Sequence, residues 1–200
     1  MAEWELGIQL PDGGFQGGML GAEPVASSTF VTGQVMFGLL SAYQEEGDGR
    51  YLDAARRAGD FLLACLDSGG RFVKGHSHFC RPGAKAYEVR TGWALAWLGQ
   101  AAADTRYSDA ARRMAEYAVS CRQANGWFSG NDLDFHDRPL THTIGYVLEG
   151  LWKTGALLDQ GAFQEAVLGT LDRIQPLIGE RGELAGRWTR DWGPRFRGPA

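Results

Sequence analysis

Cysteine is scarce in this 200-residue chain: Cys65, Cys80 and Cys121 are the only three. An odd number without a Cys-x-x-Cys spacing argues against the disulfide framework of small secreted domains. No apolar run approaches the roughly 18 residues that a membrane span needs. The opening residues, MAEWELGIQL, have neither the basic stretch nor the apolar core of a secretory leader. Positive charge is also short, with 20 Lys and Arg against 24 Asp and Glu and a net charge of −4. That leaves no basic stripe for nucleic acid or an anionic membrane. There is no Gly-x-Ser-x-Gly elbow, no Gly-Lys-Thr phosphate loop and no dinucleotide fingerprint. The glycine-rich QGGMLG and DGGFQGG carry no lysine. The expectation is a cytoplasmic protein with no cofactor and no nucleic-acid or membrane partner.

What is abundant is glycine, 29 residues, and tryptophan, 7 residues. Glycine at this level without a collagen period points to tight turns, and tryptophan points to a large core or an aromatic-lined cavity. The segments DGRYLDAARR from Asp48 and DTRYSDAARR from Asp104 are nearly identical and lie 56 residues apart. The period extends through Tyr51, Tyr107 and Phe163, and a turn signal follows it at Gly14, Gly70, Gly126 and Gly182. A fixed period of this length means stacked supersecondary units. Each unit reads as two helices. The first, in FVTGQVMFGLLSAYQ, TGWALAWLGQAAA and LTHTIGYVLEGLWKTG, is apolar almost all round and therefore buried. The second carries arginines on a polar face and reads as an outer helix, with Asp48, Asp104 and Asp159 as N-caps or turn residues before it.

Buried inner and amphipathic outer helices in register resemble the α/α-toroid superfamily of terpenoid cyclases, protein prenyltransferase β subunits and six-hairpin carbohydrate enzymes. The turns QLPDGGF and RQANGWF resemble the Gln-Trp repeat of squalene cyclases. The segment GDGRYLDAARRAGDFL resembles the outer helices of unsaturated glucuronyl hydrolases and sugar epimerases. The resemblance implies an all-α toroid with a ligand in its central cavity. The expected layout is one domain over residues 1–200, with units at 29–72, 88–128 and 139–188 and the tail of a preceding unit at 1–18. Closed toroids of five to seven hairpins would need about 280–390 residues at this period. The chain is therefore expected to be part of a larger toroid, the alternative being a three-hairpin arc that forms a homodimer.

The segments entering the inner helices hold the candidate chemistry. NGWFSGNDLDFHDRPLTHTIGY is the densest polar stretch. It nominates His142 as acid or base, with Asp132, Asp134 and His136 beside it. Arg90 and Arg187 would hold a carboxylate, and Trp93, Trp127 and Trp188 would stack on sugar rings. Gln34, Trp93 and Tyr146 fall at the same place on successive inner helices and would line the cavity. His76, His78 and Cys80 alternate in an extended segment, but no second pair of ligands completes a zinc site, so no metal is expected. The Asp-x-Asp-Asp acid motif of squalene-type cyclases is missing, since Phe135 stands where DLDFHD would need the second aspartate. The reading is a saccharide-binding toroid of hydrolase, lyase or epimerase type, for a neutral or a uronic-acid-containing saccharide. The alternatives are an isoprenoid-binding toroid or a non-catalytic scaffold.

Overall fold

The computed structural model describes residues 2–77, 80–81, 83–135 and 137–195. After a short helix α1 (Ala2–Ile8), three helical hairpins follow: α2 (Thr29–Glu46) with α3 (Gly49–Cys65), α4 (Val89–Ala102) with α5 (Thr105–Ser120), and α6 (Thr141–Leu157) with α7 (Gly161–Ile174). Two-residue strands β1 (Arg187–Trp188) and β2 (Pro194–Arg195) pair antiparallel at the far end. Helix α4 packs on both α2 and α6, while α3, α5 and α7 lie behind their partners. The inner helices α2, α4 and α6 thus form one layer and the outer helices the second, the arrangement of an α/α toroid.

Local chemistry sets the outer helices. Asp48 and Asp104 each accept a backbone N–H two residues on, from Arg50 at 2.9 Å and from Arg106 at 3.0 Å. Each thereby satisfies one of the unpaired donors of a helix start. Helix α7 begins differently: Asp159 is a turn residue at φ 54° and Gln160, without a capping side chain, precedes the helix. Small residues on the apolar faces let the layers close. Ala54, Ala55, Ala58, Ala110 and Ala111 are buried among Leu62, Leu95, Leu98 and Met114, and Ala115 and Ala118 among Phe128, Val147 and Leu151.

The turn after each outer helix is the same structure repeated. Gly13, Gly70, Gly126 and Gly182 adopt φ of 89°, 76°, 82° and 80°. In each, the glycine N–H returns to a carbonyl three residues back, on Leu10, Asp67, Gln123 and Gly179. The first turn is shifted by one residue from its expected position, because Gly13 rather than Gly14 takes the left-handed conformation. A Cβ at Gly13 would run into the backbone of Arg57 on α3, one at Gly70 into that of Arg113 on α5, and one at Gly126 would press on Thr170 of α7, so these three turns are each seated on the following outer helix. Phe15, Phe72 and Phe128, two residues further on, are buried anchors.

Candidate functional site

Packing against the outer helices leaves one stripe of each inner helix half-exposed. On α2 it holds Phe30, Gln34 and Phe37, on α4 Arg90, Trp93 and Trp97, and on α6 His142, Tyr146, Glu149 and Lys153. All follow the three-to-four-residue spacing of a single helix face. Arg90 joins the three stripes. Its Nε donates to Gln34 Oε1 at 2.7 Å, and its guanidinium forms an ion pair with Glu149. The same group lies 4.8 Å from the ring centre of Tyr146, 5.8 Å from Trp93 and 5.9 Å from Phe37. Burial pulls the guanidinium below its ordinary pKa, and it stays charged.

The rings form a continuous surface. Phe37 and Trp93 meet at 4.2 Å with their planes tilted by 43°, Phe30 meets Tyr146 at 5.3 Å, and the exposed His142 stands edge-on to Tyr146 at 5.4 Å. Lys153 Nζ sits 5.6 Å above Trp93. Gln34 Nε2 is buried without a hydrogen-bond partner. The stripe therefore offers flat apolar rings beside a fixed cation, a carboxylate, an amide and an accessible imidazole.

Two further polar groups lie outside the stripe. In the segment entering α4, buried Lys85 pairs with Asp132 at 3.0 Å, and His76 Nδ1 faces Glu88 at 3.6 Å. Burial pushes the Glu88 carboxyl up, and Glu88 in turn raises His76. Cys80 donates to the Ser77 carbonyl at 3.1 Å, and His78 lies outside the described residues. Among the described residues no group of three potential ligands could hold a metal ion.

The second group is a corner joining the 131–140 loop to β1. Arg187 grips both carboxylate oxygens of Asp134, at 3.0 and 2.9 Å, and donates to the Arg138 carbonyl at 3.0 Å. This neighbour holds the Asp134 carboxyl below its ordinary pKa. Trp188 is buried and donates its indole N–H to Thr141 Oγ1 at 2.9 Å. Trp192 stands edge-on to both Trp127 and Trp188.

The residues nominated from sequence therefore divide. Gln34, Arg90, Trp93, His142 and Tyr146 meet on one surface. Trp127, Asp134, Arg187 and Trp188 belong to the corner, Asp132 is held by Lys85, and His136 lies outside the described residues. Sequence reasoning missed Phe30, Phe37, Trp97, Glu149 and Lys153. Counting three or four residues along each helix from Gln34, Trp93 and Tyr146 reaches all five.

No protein-family model and no curated protein sequence matches the chain. Solved structures do. The cellobiose 2-epimerase of Spirochaeta thermophila superposes with a TM-score of 0.79 at 21% identity, covering 96% of this chain and 55% of that one. An α-mannanase from Bacteroides thetaiotaomicron gives 0.72 at 15%, covering 98% and 55%. An unsaturated glucuronyl hydrolase specific for heparin gives 0.68 at 14%, covering 80% and 49%. The chain thus spans about half the length of these structures, and what it shares with them is the α/α-toroid fold.

Proposed function

We propose that this chain supplies the saccharide-facing wall of a carbohydrate-processing α/α toroid. The observation that carries the reading is Arg90, fixed by Gln34 and Glu149 with its guanidinium close to three aromatic rings. Sugars present apolar C–H faces and rings of hydroxyls, and a flat aromatic surface with fixed donors and acceptors complements both. A cation already oriented before the ligand arrives loses little freedom on binding. The names of the fold neighbours, an epimerase, a mannanase and a glucuronyl hydrolase, support the same class of ligand.

Within this reading Trp93 and Tyr146 stack on a sugar ring, while Gln34 and Arg90 bind hydroxyl or carboxylate oxygens. His142, exposed at the start of α6, is the proton-transfer group. Hydrolysis, elimination and epimerisation all need such a group. Asp134 serves the fold through Arg187, so the carboxylate nearest this surface is Glu149.

The test is calorimetry or tryptophan-fluorescence titration with neutral oligosaccharides, uronate oligosaccharides and isoprenoid diphosphates. Saccharide binding that weakens about tenfold in Arg90→Met and Trp93→Ala is expected, the loss of roughly one charge-assisted hydrogen bond in the first and of one stacking ring in the second. Saccharide affinity unaltered in both variants would sink the reading. Tight binding of isoprenoid diphosphates alone would favour the cyclase-like alternative, which the four rings Phe30, Phe37, Trp93 and Trp97 also suit.

A further inference from the structure

Away from the inner stripe, a concavity of about 320 Å³ lies at the rim, between the turn after α5 and the segment following β1. Its walls include Gln123, Trp127, Phe128, Asn131, Pro139 and Arg190, and none of its lining residues belongs to α2, α4 or α6. Asn131 is 3% exposed. Its main-chain carbonyl accepts from Thr143 Oγ1 at 2.9 Å, which fixes the residue in place. Yet both polar atoms of its side chain are buried without a partner. A buried amide that makes none of its hydrogen bonds is a standing penalty to the fold, tolerated where a ligand completes the set.

Arg190 frames the opposite side. Its Nε donates to Gln123 Oε1 at 2.7 Å, and its own carbonyl accepts from Asn125 at 2.9 Å. Among the described residues its guanidinium pairs with no carboxylate, so two terminal nitrogens are tethered beside the cleft; Asp137, which also lines it, is paired with Arg138. Trp127, braced edge-on by Trp192 at 5.3 Å, gives the cleft a rigid aromatic wall.

We propose that this cleft is a second subsite, which takes a single anionic sugar ring of hexuronate type. The ring packs on Trp127, its hydroxyls engage the Asn131 amide, and its carboxylate takes the terminal N–H groups of Arg190. The volume is at the small end for ligand sites and suits one ring rather than an oligomer. The ligand class rests on the saccharide reading above; the site itself rests on the unpaired amide and the tethered cation.

Glucuronate titration of the 200-residue chain, followed by ligand-observed NMR, tests it against Asn131→Leu, Arg190→Gln and Arg90→Met. Affinity is expected to fall at least about tenfold in the first two, and Arg90→Met, which weakens binding at the inner stripe, should keep a glucuronate-binding event that adding Arg190→Gln abolishes. Without ligand, Asn131→Leu should melt above the unsubstituted chain, because it removes the unpaired amide. Glucose should bind more weakly and be indifferent to Arg190→Gln. Affinity that survives both rim variants and drops in Arg90→Met would put glucuronate on the inner stripe and overturn this subsite while leaving the proposed function standing. Neutral oligosaccharides binding without glucuronate would likewise overturn the subsite alone. No binding of any saccharide would overturn both.

Discussion

Arg90 and Arg187 stand out in the sequence for the same reason, a guanidinium close to tryptophan in a polar segment. The fold uses them in opposite ways. Arg187 is buried, holds Asp134 with two parallel hydrogen bonds, and ties a loop to a strand. Arg90 remains half-exposed, and its charge faces rings on three different helices. Trp188 and Trp93 repeat the contrast, one spent on an internal hydrogen bond, the other open on a shared face. A polar, aromatic segment declares that something is recognised, but whether the partner is the protein itself or a ligand depends on which way the helix is turned.

Substitutions sharpen the contrast. The largest effect is expected for Trp188→Ala, which empties a packed corner. It should cost about 3 kcal/mol and lower Tm by roughly 6–12 °C in a chain of this size. Trp93→Ala should lower it by less than half as much, and calorimetric scanning of the pair would decide. Next comes Arg187→Ala at about 2 kcal/mol, less than a fully buried pair because Asp134 is partly in water. Arg90→Met should move Tm by no more than about 2–3 °C. Comparable losses for the two arginines would erase the distinction.

Acid gives a subtler measurement. Arg187 lowers the folded-state pKa of Asp134, so the pair stabilises the fold fully above the ordinary carboxylate value of about 4 and loses that contribution as the pH falls below it and through the depressed folded-state pKa. The Tm gap between the unsubstituted chain and Arg187→Ala should therefore narrow from pH 6 to pH 3. A constant gap would mean that Arg187 acts through packing alone. An effect as small as that of Arg90→Met belongs to Trp188→Phe, which keeps an aromatic ring but drops the bond to Thr141. It should cost about 1 kcal/mol, read as a Tm shift of a few degrees.

The repeat made the architecture readable. Asp48 with Arg50 and Asp104 with Arg106 form the same cap twice, and the period of the glycines located the turns to within one residue. The third outer helix was harder, because Asp159 mimics the earlier caps in sequence and takes a left-handed turn instead. Half of the candidate site was legible because Gln34, Trp93 and Tyr146 align on successive inner helices. Glu149 and Lys153 escaped notice because charges in the middle of an apolar helix look like a solvated edge until a neighbouring helix brings Arg90 to one of them. The pairing of Asp134 was hidden for a related reason. Its partner is 53 residues away, and nothing in the local spacing announces it.

The seating of Gly70 against α5 has a consequence for how the molecule comes apart. The last turn of one hairpin is also a floor tile under the next, so the units drawn by sequence are not the units that open. Fraying of the second hairpin must unseat the turn of the first, and hydrogen exchange should report the two together. Protection around Gly70 should follow that of α5, the helix it leans on, more closely than that of α3, the helix it ends.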